Sequence, residues 1–161
     1  MTDSQIIDRI IHSFRNYNLR DIKQIALQDT FLAAFTLCCC FIEQASGFRY
    51  AKTKNFTGKA MFEHFVREYL NSYDPTKLRN DLRNKLVHNY SVGTSYSLTK
   101  GQPDKHLSRD SSGRKLLNLE NFVSDIENAF ERWANELRTS DSIKLNAITW
   151  YHRHRPLDIA E

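Results

Sequence analysis

Residues 31–42 read FLAAFTLCCCFI, the longest apolar run in the chain. A helix that is apolar on every side is a buried helix, and twelve residues fall short of the roughly 20 that a bilayer span needs. The run is therefore expected at the centre of a helical core. It lies within a helix from about Asp21 to Ala45 that Gly47 would end, glycine being suited to a left-handed terminus. Cys38, Cys39 and Cys40 are consecutive, so on a helix they point about 100° apart and can neither pair nor jointly hold one metal. Core packing is the role this implies, and unpaired thiols suit a reducing cytoplasm.

The segments around this run repeat the helical pattern. Ile6, Ile7, Ile10, Ile11 and Phe14 recur at three- and four-residue spacing behind a Thr2/Asp3/Ser4 capping region. Phe62, Phe65, Val66, Tyr69 and Leu70 line one side of a helix from about Gly58 to Leu70. Asp74 as N-cap and Pro75 at the first helical position then start another, reaching about Asn89. Helical spacing returns over Leu119–Leu137, with Phe122, Ile126, Ala129, Phe130 and Trp133, and a short last helix spans Ser140–Tyr151. Between them, short strand-like pieces around Ser111-Ser112-Gly113 predict a small β-hairpin over Tyr96–Leu119. The expected fold is mostly all-α: an up-and-down bundle with a β-hairpin inserted before its last long helix.

Composition narrows the function classes. The 161 residues suit one domain, and only 5 Gly and 3 Pro argue against a turn-rich sandwich or a disordered chain. A net charge of +4 favours a polyanionic partner and is equally a generic solubility device. The start, MTDSQIIDRIIHSF, lacks the pattern of a signal peptide, so a cytoplasmic protein off the membrane is expected. There is no Cys-x-x-Cys, His-Glu-x-x-His or carboxylate cluster, and no Gly-rich phosphate loop. No metal and no cofactor are expected.

The chemistry-bearing stretch is LRNKLVHNYS, residues 82–91. On a helix, Leu78, Leu82 and Leu86 form a core-facing stripe, while Asn80, Arg83, Asn84 and His88 fall within roughly 140° on the opposite side. Asp81 lies at the edge of that wedge, and Val87 on the same side hints at a partly covered face. The pattern admits two readings. One is a solvated face whose histidine is favoured by the helix dipole; the other is a reaction centre.

The run from Arg83 to His88 resembles the signature of the HEPN superfamily (higher eukaryotes and prokaryotes nucleotide-binding). That signature is an arginine, a polar residue and then a histidine near the end of a bundle helix; here it reads Arg-x4-His, with Asn84 in the polar position. The His88-Asn89-Tyr90 continuation resembles HEPN toxins paired with minimal nucleotidyltransferase antitoxins. With the hairpin and helix that follow, LRNKLVHNYS is more similar to uncharacterised bacterial HEPN-like proteins. The resemblance covers about residues 20–91 and 119–138.

It implies a single HEPN-like domain over residues 1–161, with an insert at about 94–118 and an extension at about 139–161. It further implies a metal-independent endoribonuclease acting as a homodimer, the two motifs facing across a cleft, in a toxin–antitoxin or phage-defence setting. Arg83 would hold the scissile phosphate, His88 would serve as base or acid, and Asn84 would orient the phosphate or the imidazole. Tyr90 would be the hydroxyl that a nucleotidyltransferase antitoxin modifies with AMP, or else an ordinary aromatic cap on the bundle. Asn80 is placed for substrate contact on the same face. Arg153 and Arg155, beside Trp150 and Tyr151, form either an RNA-contacting tail with stacking surfaces or a flexible basic terminus. Glu43 would orient Arg83 or His88, or mark an exposed helix edge. His12 and His64 are read as surface positions, and His106 has no assigned partner. The alternative function is a non-catalytic HEPN-like module that binds nucleotide or RNA, or that serves as a dimeric interaction surface.

Overall fold

The first helix begins where the sequence supplies both halves of a capping box. The Thr2 hydroxyl accepts the Gln5 N–H, and the Gln5 side chain accepts the Thr2 N–H. Helix α1, Asp3–Ser13, buries Ile6, Ile7, Ile10 and Ile11. The coil continues through a π-helical segment, Phe14–Leu19, into α2, Arg20–Ala26. The computed structural model describes residues 1–51, 57–154 and 156.

The helix expected over Asp21–Ala45 is broken in two. After α2 the chain leaves helical geometry, and α3 runs Phe31–Tyr50. Residues 27–30, Leu-Gln-Asp-Thr, are all exposed, so nothing holds them on a core-facing spiral while α2 folds back against α3. The Gln28 carbonyl freed at this break accepts the Lys100 ammonium at 2.7 Å. Nor does Gly47 end the helix. It is buried inside α3, where a Cβ would lie 2.6 Å from the Trp150 indole, so glycine is there to let another helix approach.

By length and composition α3 would pass for a membrane span, but 56% of that window is buried inside the bundle. Its neighbours are α2, α4, α6, α7 and α8, which makes it the central helix as expected. Cys38 and Cys39 are buried, whereas Cys40, expected in the core with them, turns outward and is exposed. The 100° step of the helix carries it past the packed faces.

Thr57 caps α4, Gly58–Tyr69, by accepting the Ala60 N–H. Asp74 caps the next helix through the Lys77 N–H at 2.9 Å, with Pro75 in the first turn. This helix is one continuous coil in three pieces: α5, Pro75–Lys77; a π-helical segment, Leu78–Arg83; and α6, Asn84–Asn89. The π turn has a packing reason. A four-residue repeat drifts by about 40° per step on an α-helix. One wider turn takes up that drift, and Leu78, Leu82 and Leu86 all reach the core.

The inserted segment is not the expected hairpin. Strands β1, Tyr96–Thr99, and β2, Lys115–Asn118, pair in parallel, with Tyr96 opposite Lys115 and Thr99 opposite Asn118. Parallel strands need a crossover connection, which residues 100–114 supply. Only the turn at Asp110–Arg114 is hairpin-like. There Asp110 accepts the Ser112 and Arg114 N–H groups, Gly113 takes φ +81°, and Arg109 bridges Lys115 in antiparallel fashion. Alternation of side chains encodes which face is buried, not which way a partner strand runs.

His106, which had no assigned partner, anchors the crossover. Its Nδ1 accepts the Asn118 backbone N–H at 3.1 Å, which assigns the neutral ring's proton to Nε2. Nε2 meets the Tyr73 hydroxyl at 3.0 Å, and that hydroxyl donates to Asp125 at 2.5 Å. Burial pulls the His106 pKa below its ordinary 6.5, although Asp125 opposes this. The unfolded chain therefore takes up a proton that the folded chain resists. Stability is expected to fall as pH drops through about 6.5 towards the folded value. His106→Gln should flatten that part of a plot of melting temperature against pH, and an unchanged slope would refute the assignment.

A second lock joins the insert to the preceding helix. The Asp81 carboxylate accepts Ser95 N–H at 3.2 Å and also the Ser95 hydroxyl, while Gly93 N–H reaches the Asp81 carbonyl at 2.7 Å. A Cβ on Gly93 would sit 2.6 Å from Asp81 Cγ. Gly93→Ala is expected to cost about 1–3 kcal/mol, the usual range for overpacking, measured as a lower urea midpoint. An unchanged midpoint would show that the contact gives way freely.

Helices α7, Leu119–Thr139, and α8, Asp141–Arg153, complete the bundle, and α8 packs chiefly on α1, α3 and α7. The fold is mostly α-helical, as expected from the spacing of its apolar residues.

Candidate functional site

The site is built where α6 passes α3. Arg83 ends the π-helical segment and Asn84 begins α6, so both point away from the Leu78–Leu82–Leu86 stripe. The Arg83 side chain is 17% exposed. Its Nε and Nη2 donate to Glu43 Oε2 at 2.8 and 2.5 Å, and its Nη1 donates to Asn84 Oδ1 at 3.0 Å. Three of the five guanidinium N–H donors are thus committed, and two remain for a ligand. A partly exposed pair such as Glu43–Arg83 adds little stability, so its consequence is geometric: it aims the guanidinium.

His88 lies in the last turn of α6, exposed and without a hydrogen bond to any described residue. It is five residues beyond Arg83, about 7 Å along the helix axis, and no hydrogen bond joins the two side chains. Tyr90 ends the helix in the left-handed region, φ 49° and ψ 43°, and is 62% exposed. Its side chain is mostly open to solvent. A left-handed residue at this position turns the chain off the helix and swings its side chain out. Val87 is also exposed, at 42%. The outer face of α6 therefore carries Val87, His88 and Tyr90 in the open beside the half-buried Glu43–Arg83–Asn84 group.

Cys40 is a neighbour that sequence reasoning assigned to the core. Although the residue is exposed, the side chains around it partly desolvate the thiol and raise its pKa, the Glu43 charge adding and Arg83 opposing, so it stays protonated. The signal was present: Cys40 stands three residues before Glu43, hence on the same face of α3.

Other expected contributors lie apart. Asn80 is exposed and accepts from Arg79 Nη1 at 3.5 Å, with no bond to the Arg83 group. Arg153 is exposed at the end of α8, and Arg155 lies outside the described residues. Trp150 stays partly exposed and meets the His154 ring at 4.2 Å between centroids, whereas Tyr151 is buried. α8 continues through Arg153, its i, i+4, i+8 face buries Ile143, Ala147 and Tyr151, and Trp150 packs over Gly47. Among the described residues, no three His, Cys, Asp or Glu side chains are grouped to hold a metal ion.

No family model, curated protein or solved structure matches the chain. The geometry stands on its own chemistry. An aimed guanidinium with donors to spare can hold a phosphate, and an open imidazole beside it is a candidate proton carrier.

Proposed function

We propose that the protein is a HEPN-type, metal-independent endoribonuclease that acts as a homodimer through the outer face of α6. The observation that carries this reading is Arg83, held by Glu43 and Asn84, next to an imidazole and two large apolar side chains left open to solvent. In the reaction, the ribose 2′-oxygen attacks the adjacent phosphorus and the 5′-oxygen leaves, giving a 2′,3′-cyclic phosphate and a free 5′-hydroxyl. One His88 takes the 2′-hydroxyl proton, and His88 of the second copy protonates the leaving oxygen. Arg83 neutralises the charge that builds on the phosphorane. Seating a second copy on Val87 and Tyr90 brings two such motifs to one phosphate, which a single helix cannot do. Tyr90, with its hydroxyl in the open, is the residue that a nucleotidyltransferase antitoxin would modify with AMP, and such modification would block the seam.

The test is incubation of single-stranded RNA with the protein in EDTA, scoring products that end in a cyclic phosphate. RNA left intact at high protein concentration would sink the proposal. A second reading has its own support, because Glu43 already occupies Nε and Nη2 of Arg83. In that reading the face binds RNA or nucleotide, or seals a dimer, without cutting. RNA retained but uncut in the same assay would favour it.

A further inference from the structure

A second group of cations lies away from the α6 face, in the cleft between the start of α5 and the β insert. This cleft of about 350 Å³ is lined by Asp74, Lys77, Ser95, Tyr96, Arg109 and Lys115, among others. Its size sits at the small end of ligand sites, roughly 300–1,000 Å³.

The insert brings three of these residues into a row. The β1–β2 register sets Tyr96 opposite Lys115, and the antiparallel bridge sets Arg109 opposite Lys115 on its other side. Residues directly opposite share a face of the sheet, and like charges so placed weaken the pairing. None of Lys77, Arg109 and Lys115 forms an ion pair with a described residue. Arg109 is held in place by its own turn instead, Nη1 donating to the Gly113 carbonyl at 2.6 Å, with four donors left over.

Tyr96 adds an independent sign. It lines the cleft, is only 2% exposed, and its hydroxyl has no hydrogen-bond partner among the described residues. Burial first, then the charges of Asp74 and Asp81, push its pKa upward, so the phenol remains a donor. With no partner among the described residues, that donor is free to meet a ligand in the cleft.

The charge count chooses the ligand. Three cations against the single lining carboxylate, Asp74, leave two positive charges. A terminal phosphate monoester carries about −1.5 to −2 at pH 7, whereas a backbone diester carries a single charge. The remaining wall offers hydroxyls rather than apolar surface, which fits the phosphate better than a base.

We propose that this cleft binds the terminal phosphate of a 5′-nucleotide or of a 5′-phosphorylated RNA end, through Lys77, Arg109, Lys115 and the Tyr96 hydroxyl. The site uses neither Arg83 nor His88 and stands whether or not the protein cuts RNA. Its test is calorimetric titration of the full chain with 2′-O-methylated RNA tetramers, which cannot form a cyclic phosphate. A tetramer with a 5′-phosphate is compared with its 5′-hydroxyl twin, and AMP is titrated separately. The phosphorylated tetramer should bind at least about tenfold tighter than its twin, the worth of one charge-assisted contact. Lys77→Gln with Lys115→Gln should abolish that preference, and Tyr96→Phe should reduce it. Arg138→Gln with Lys144→Gln, an equal charge change elsewhere, should leave it intact. AMP binding with the same dependence assigns free nucleotides to the site; binding of the phosphorylated tetramer alone assigns RNA ends. Equal affinity for the two tetramers, or an equal loss of preference in the Arg138→Gln, Lys144→Gln control, would overturn the proposal.

Discussion

His88→Ala is expected to lower RNA cleavage in EDTA by at least about 100-fold, the lower bound for losing a general acid or base. The protein should remain folded, because the imidazole is exposed and bonds to no described residue. That makes the variant a clean probe: its circular dichroism and melting temperature should match the parent while activity disappears. Arg83→Lys should also be severely impaired, since a lysine cannot both reach Glu43 with two donors and present two more to a phosphate. Glu43→Gln acts through Arg83 and should cost less than either, because the guanidinium keeps its bond to Asn84. Cleavage undiminished in His88→Ala would remove the imidazole from the reaction and with it the proposed mechanism.

Trp133→Ala is expected to be the most damaging single truncation of the core. Trp133 is fully buried and meets Phe14 edge-to-face at 4.9 Å, with Phe130 at 6.2 Å and Phe65 at 6.4 Å between ring centroids. Phe14 in turn contacts Phe41 and Phe48 of α3, so one indole ties α7 to the first helical segment, to α3 and to α4. Removing a buried Trp costs about 3–5 kcal/mol, which for a chain of this size lowers the melting temperature by roughly 10 °C. Trp133→Phe should cost less than half as much. The indole N–H has no acceptor among the described residues, so the smaller ring gives up area but no hydrogen bond. A Phe variant as unstable as the Ala variant would show that an unseen bond, not packing, anchors this position.

Much of the scaffold was legible before any coordinate. The isoleucines of α1, the leucine stripe at 78, 82 and 86, and the caps at Thr2 and Asp74 all lie where periodicity and capping chemistry put them. The same spacing put Arg83, Asn84 and His88 opposite the core, and the structure leaves that face open to solvent or only half-buried. These features are local. Each depends on side chains within a turn or two of one another, which is the range over which sequence spacing and geometry correspond.

What failed depends on contacts distant in sequence. Gly47 reads as a terminator until α8 lays Trp150 against it, a hundred residues on. His106 reads as a residue without an assigned partner until the crossover brings it to Tyr73 and Asn118. The parallel direction of β1 and β2, and with it the row of Tyr96, Lys115 and Arg109, likewise depends on the path of the crossover between them.

The amino-acid sequence alone determined most of the helices, the apolar stripes that they bury, and that Arg83 and His88 share an outer face. Only the tertiary structure decided that Glu43 aims Arg83, that Cys40 and Tyr90 point outward, and that three cations line one cleft. The division has a physical cause. Helical propensity and amphipathic spacing are short-range, whereas charge partners and cavities arise when elements far apart in the chain are packed to bury a common core.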